Sequence, residues 1–71
     1  MYTINELQEL MTKKPEQASF DNGCSIYFDS FDNEYFFIVT PDQKREIKRY
    51  RDTSPEDLLQ ILNQWQHGFS H

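Results

Sequence analysis

Residues Cys24 to Arg51 read CSIYFDSFDNEYFFIVTPDQKREIKRYR, and the division of this stretch into strands decides the fold. At its centre, Tyr35-Phe36-Phe37-Ile38-Val39 is a run of five apolar β-formers, bounded by Asn33-Glu34 and by Thr40-Pro41-Asp42, the length and composition of one strand. Upstream, Cys24, Ile26 and Phe28 alternate with Ser25, Tyr27 and Asp29, as in a half-buried strand. Ser30-Phe31-Asp32-Asn33 supplies the hairpin turn between them. Downstream, Thr40-Pro41-Asp42-Gln43 opens either a turn or a helix. A helix over Lys44 to Arg51 would have only Ile47 and Tyr50 to bury, too little to hold it down. A charged edge strand makes better sense of the segment, because lysines and arginines on an edge block unwanted strand addition.

Helices are predicted on both sides. Thr3-Ile4-Asn5-Glu6 is a capping box in which the Thr3 hydroxyl accepts from the Glu6 backbone N–H, with Tyr2 against Leu7 as hydrophobic staple. Ile4, Leu7, Leu10 and Met11 share one helical stripe. Lys13-Lys14 suits the negative end of the helix dipole and Pro15 stops the helix, giving residues 4 to 13. Residues 15 to 23 form a connector with Asp21-Asn22-Gly23 as a strong turn signal. Ser54-Pro55-Glu56-Asp57 is a second helix start, with Ser54 as N-cap, Pro55 at the first helical position and two acids facing the positive dipole end. Leu58, Leu59, Ile61, Leu62 and Trp65 make its apolar stripe, and Gly68 ends it. The expected fold is a single α+β domain over residues 1–71, two layers in the order α-β-β-β-α. A three-stranded antiparallel sheet carries both helices on one face.

A chain of 71 residues buries only roughly 60% of its unfolded surface, so the core is thin. Eleven aromatics exceed what such a core readily hides, which sends some of them to an interface. Cys24 is the single cysteine. No internal disulfide forms, and with no basic-then-apolar opening of the signal-peptide kind the expected location is cytoplasmic. No apolar run approaches the roughly 20 residues of a membrane span. The net charge is −5, which disfavours non-specific attraction to nucleic acid or anionic membrane and favours cationic partners. Five of the seven basic residues fall between Lys44 and Arg51, so that octet carries +4 and the rest of the chain −9.

Catalytic chemistry finds little footing. His67 and His71 sit near the chain end without further ligands at metal-binding spacing. Cys24 lies on the apolar parity of a strand, where a thiol behaves as a small hydrophobe. Asp29 with Asp32 flank a turn, and Glu56 with Asp57 cap a helix, so neither pair has an apolar pocket to raise a pKa. Two glycines make no phosphate loop. The expectation is a protein that is not an enzyme and takes neither cofactor nor metal.

Surfaces say more. In the central strand, whichever parity faces the helices, the opposite face keeps large apolar residues, and two helices cover one face of a small sheet. The second face therefore calls for a loop, a second copy or a partner. Tyr27, Phe36 and Ile38 are the expected apolar contact residues. Asp21, Asp29, Asp32 and Glu34 form an expected acidic surface at one end of the first hairpin. Lys44, Arg45, Lys48, Arg49 and Arg51, with Tyr50 beside them, form a basic strand that could track a single nucleic-acid strand by charge and stacking.

The α-β-β-β-α order resembles the double-stranded-RNA-binding domain. That family's lysine cluster at the start of the second helix is replaced here by Glu56-Asp57, which reverses the charge of the phosphate site. Ile4-Asn5-Glu6-Leu7, Asp32-Asn33-Glu34-Tyr35 and the same element order also resemble small acidic phage-encoded inhibitors of CRISPR nucleases. That resemblance implies a protein whose acids imitate DNA; the basic third strand departs from the pattern. The reading that follows is a small non-enzymatic protein-binding module, an inhibitor or regulator of a nucleic-acid-handling protein. The alternatives are a single-stranded nucleic-acid binder using the basic strand, and a homodimer formed through the sheet face.

Overall fold

A computed structural model describes residues 2–29, 31 and 34–65. In chain order the elements are helix α1 (Ile4–Lys13), strands β1 (Gln17–Ser19), β2 (Ser25–Phe28), β3 (Tyr35–Val39) and β4 (Arg45–Arg49), a 3₁₀ turn (Tyr50–Asp52) and helix α2 (Pro55–Asn63). The four strands form one antiparallel sheet in the order β1-β2-β3-β4. Both helices, their apolar stripes inward, lie on one side of it and bury Leu7, Met11, Leu58 and Leu62 against Cys24, Ile26, Phe28, Phe36 and Ile38.

The sheet has four strands where three are predicted, because β1 lies in the stretch read as connector. Gln17-Ala18-Ser19 has no apolar alternation to announce a strand. It is held through its backbone: Ala18 pairs Ile26 in register, Phe20 N–H donates to the Cys24 carbonyl at 2.9 Å, and Phe28 N–H to that of Glu16 at 3.3 Å. The turn between β1 and β2 is the Asp21-Asn22-Gly23 signal, with Gly23 at φ 92°, a left-handed value that only glycine adopts freely. Asn22 is buried at this turn, its Oδ1 accepting from Cys24 N–H at 3.0 Å and its Nδ2 donating to the Leu62 carbonyl at 2.9 Å. A buried amide left unbonded would cost about 1–3 kcal/mol; here it fastens the hairpin to α2.

The helix boundaries follow the caps. Thr3 Oγ1 accepts from Glu6 N–H at 3.2 Å and donates to the Glu6 carboxylate at 3.1 Å, so Glu6 answers the cap hydroxyl as well as receiving its service. Tyr2 sets its ring edge-on to Phe20, centroids 5.0 Å apart, and its hydroxyl donates to the Asp21 carboxylate. Burial and that bond push the Tyr2 phenol up to about 12. At the other end Lys14, at φ 48°, closes α1 with its N–H on the Leu10 carbonyl at 2.9 Å. Ser54 and Asp57 complete a reciprocal capping box on α2, with both bonds at 3.1 Å. α2 ends at Asn63 with Gln64 as its C-cap, its N–H on the Gln60 carbonyl, which corrects the predicted stop at Gly68; Gly68 itself lies outside the described residues.

Lys44 to Arg51 is an edge strand as predicted over residues 45–49, and its last residues curl into the 3₁₀ turn. Thr40 anchors the β3–β4 turn: its N–H donates to the Lys44 carbonyl at 2.9 Å, its hydroxyl is bonded to the Asp42 carboxylate, and Gln43 takes φ 69°.

Candidate docking face

Strand pairing fixes which residues share a face. Ile26 stands opposite Ile38 and Phe28 opposite Phe36, so the apolar parity of β2 carries the even-numbered residues of β3 toward the helices. Phe36 and Ile38 are 1% and 0% exposed, and the Phe28 and Phe36 rings stack at 5.1 Å within the core. The expectation that Phe36 and Ile38 form an outer contact surface is therefore corrected: of the three residues named, Tyr27 alone is on the open side. A shift of one residue in pairing exchanges every side chain between faces, and the face of each β3 residue follows from its pairing with β2 rather than from the composition of β3.

On the open side the register lines up three rows across the sheet. The middle one runs Gln17, Tyr27, Phe37, Ile47 from β1 to β4; beside it lie Ser19, Ser25, Val39 and Arg45, and at the loop end Tyr35 pairs with Arg49. Ile47 is 75% exposed, Tyr35 is exposed, and Tyr27, Phe37 and Val39 are half-buried only by one another and their neighbours. The Tyr27 and Phe37 rings stack at 4.9 Å with planes 13° apart, and the Arg45 guanidinium lies 5.5 Å from the Phe37 centroid. Tyr27, Phe37 and Ile47 line a groove of about 610 Å³ with Tyr35, Asp29 and Phe31, the last almost fully exposed. The signal for Phe37 and Ile47 was present in the sequence as odd-numbered apolar residues, and only the pairing register places them together.

The other predicted surfaces are dispersed. Asp21 lies in the β1–β2 turn while Asp29 and Glu34 lie at the opposite end of the sheet, because β2 runs the full depth of the sheet between them. Asp32 lies outside the described residues. No single acidic end is formed by the described members of that set. Asp29 Oδ1 accepts from Phe31 N–H at 2.8 Å, a local turn bond. The basic strand is likewise divided: Arg45 and Arg49 share the open face with Tyr35 and Val39, while Glu46 and Lys48 share the parity of Phe36 and Ile38. Lys48 and Lys44 sit 4.0 Å and 3.7 Å from Glu46 and Asp42. Arg51 is exposed in the 3₁₀ turn. Tyr50, expected as a stacking ring beside the strand, belongs to the helix side. Its hydroxyl donates to the Met11 carbonyl at 2.8 Å, and Lys14 Nζ sits 4.0 Å over its ring. Among the described residues neither Arg45 nor Arg49 has an ion-pair partner.

Titratable groups give the same picture. Bonding to Lys13 holds Glu9 down at an exposed i,i+4 pair 2.7 Å apart. The Thr40 hydroxyl holds Asp42 down, and the Ser54 backbone N–H holds Asp57 down. Burial pushes the Cys24 thiol up, which keeps it protonated and unreactive. Each of these groups is engaged in a turn, a cap, the core or a surface pair on α1, away from the open face. Among the described residues no group of three or more His, Cys, Asp and Glu side chains is arranged to hold a metal ion, and no helix is long and apolar enough to cross a membrane. His67 and His71 lie outside the described residues. A second groove, of about 460 Å³ between β4 and α2, is lined mainly by polar side chains including Lys48, Asp52, Asp57 and Gln60.

Fold and site together define a small two-layer α+β protein with one sheet face packed and the other open and aromatic. No known family, curated protein or solved structure matches the chain, and the resemblance to phage inhibitors rests on its short motifs alone.

Proposed function

We propose that this chain is a small non-enzymatic protein-binding module that acts by docking through its open sheet face. The observation that supports this reading is the Tyr27, Phe37, Ile47 row, apolar across three strands on the side opposite both helices. An exposed Ile47 in the middle of a charged edge strand costs solubility and invites aggregation unless something covers it. A protein surface suits the row better than nucleobases do. Nucleobase binding needs open ring faces, and here Tyr27 and Phe37 turn their faces to each other while the Arg45 guanidinium lies over the Phe37 ring.

In its narrower form the proposal is an inhibitor or regulator of a nucleic-acid-handling protein. What supports it is charge: outside Lys44 to Arg51 the chain carries −9, a field that speeds encounter with a cationic surface. The acids are spread over both ends of the sheet, so charge acts here as steering and the apolar row as contact.

The test is Ile47→Asp, with folding checked by circular dichroism and association read by sedimentation and by capture on the immobilised chain. The expected result is unchanged folding with association lost. A folded Ile47→Asp chain that associates as the unaltered protein does refutes the docking face. A single-stranded oligonucleotide titration at low salt is expected to be flat. Binding that weakens steeply with salt and is abolished by Arg45→Glu with Arg49→Glu would transfer the function to the basic strand.

A further inference from the structure

We infer that the occupant of the open face is a second copy of this chain, with the two sheets packed face to face about a two-fold axis that runs parallel to the strands between β2 and β3. The inference rests on the docking reading and names its partner. Aligned face-to-face packing of sheets with open apolar faces is a standard arrangement, the sheets lying about 10 Å apart and rotated about 30°. Two two-folds in the plane of such an interface are possible, and charge chooses between them.

An axis perpendicular to the strands lays β4 over β4. Arg45 of one copy then meets Arg49 of the other, twice, with no carboxylate of the open face nearby. An axis parallel to the strands lays β4 over β1 and β3 over β2. Tyr27 then faces Phe37 of the second copy and Phe37 faces Tyr27, so the aromatic centre pairs with itself. At the loop end, Asp29 follows the last β2–β3 pair, Phe28 with Phe36, and lines the open-face groove with Tyr27 and Tyr35, next to the Tyr35–Arg49 pair. In this arrangement Arg49 of the second copy arrives beside Asp29, within the reach of an arginine side chain across about 10 Å of sheet spacing. Symmetry makes that contact twice. The face has an acid on its β2 side and two arginines without ion-pair partners, among the described residues, on its β4 side. Such a face complements itself about one axis and repels itself about the other.

Four strands about 4.8 Å apart and three to five residues long give a patch of at most about 19 by 17 Å, roughly 320 Å² per copy and 650 Å² in all, below the size of stable specific interfaces and in the range of weak, transient pairs. Association is accordingly expected in the range of tens to hundreds of micromolar. Pairing hides the apolar rows and leaves the acids outside the sheet, among them Glu6 and Glu9 of α1, on the exterior of the dimer.

The experiment is sedimentation equilibrium of the full chain from about ten micromolar to about one millimolar, on the unaltered protein, Asp29→Arg, Arg49→Asp and the double swap. Folding is verified for each by circular dichroism. The expected result is an apparent mass that doubles with concentration. Each single change should weaken the dimer about tenfold or more, and the double swap, which restores the opposite charges, should recover it. Arg45→Glu, away from the Asp29 turn bond, serves as a second variant and is expected to weaken pairing less than Arg49→Asp. Tightening by Arg49→Asp alone overturns the chosen axis. So does a double swap no better than its singles. A chain that stays monomeric throughout, yet loses capture of another protein on Ile47→Asp, overturns self-pairing and leaves the docking face standing. A chain that stays monomeric and is indifferent to Ile47→Asp overturns both.

Discussion

Phe36 and Phe37 are neighbours in one strand, identical in chemistry, and separated only by the face on which they lie. Phe36→Ala and Phe37→Ala therefore form a sharp test of the architecture. Phe36 is 1% exposed and stacks on Phe28 beneath the helices, so its truncation removes a fully buried ring and leaves a cavity that costs about 3–5 kcal/mol. A domain of this size has about 4–10 kcal/mol in total, and the variant should lie at the edge of unfolding. Phe37 is half-buried, and its loss forfeits the stack with Tyr27 and part of its area, about 1–2 kcal/mol. At about 4–8 °C per kcal/mol for a chain this short, thermal melts followed by circular dichroism should separate the two by about 10 °C or more. Phe37→Ala should fall modestly with a clear folded baseline, and Phe36→Ala should show little baseline at 37 °C. Equal losses, or the reverse order, would mean that the strand is paired one residue out of the register described and that the open face carries Phe36 and Ile38 after all.

Two further outcomes follow from the titrating groups. Cys24 is 0% exposed with its thiol pushed up by burial, so a thiol-specific reagent at neutral pH should label it only after denaturation, and rapid labelling of the native chain would show the core to be open there. Asp57 is held below the usual aspartate range by the Ser54 backbone N–H. Its contribution to stability is thus present above the unfolded value of about 3.9 and is lost as pH falls through the lower folded value. Asp57→Asn should flatten that part of the acid limb in urea melts at successive pH values, and an unchanged acid limb would refute the cap's electrostatic role.

Local chemistry was enough to place both helix starts and the end of the first helix, and to divide the central stretch. Thr3 and Ser54 announce their helices because capping needs only residues three apart, and Lys14-Pro15 closes the first for the same local reason. Lys44 to Arg51 was legible as an edge strand because a helix there would have had nothing to bury. β1 was not legible. Gln17-Ala18-Ser19 has no pattern of its own and becomes a strand only because the Asp21-Asn22-Gly23 turn returns the chain alongside β2, whose backbone donors and acceptors need a neighbour. The sequence likewise shows that β3 is greasy on both sides and that one side must be left uncovered.

Which side is uncovered belongs to the tertiary structure. The five residues Tyr35 to Val39 would satisfy a core with either parity, and a slip of one residue in the 29–34 loop would exchange Phe36 and Ile38 for Tyr35, Phe37 and Val39 at no cost to local propensity. The decision is made by the pairing of Ile26 with Ile38 and Phe28 with Phe36, which extends the apolar parity of β2 across the sheet where Leu7, Met11, Leu58 and Leu62 can cover it. That same pairing scatters Asp21 from Asp29, divides the basic strand between two faces, and draws Tyr27, Phe37 and Ile47 into one row. Residue types are written along the chain, but the composition of a surface is set by register, and register is a property of contacts between segments distant in sequence.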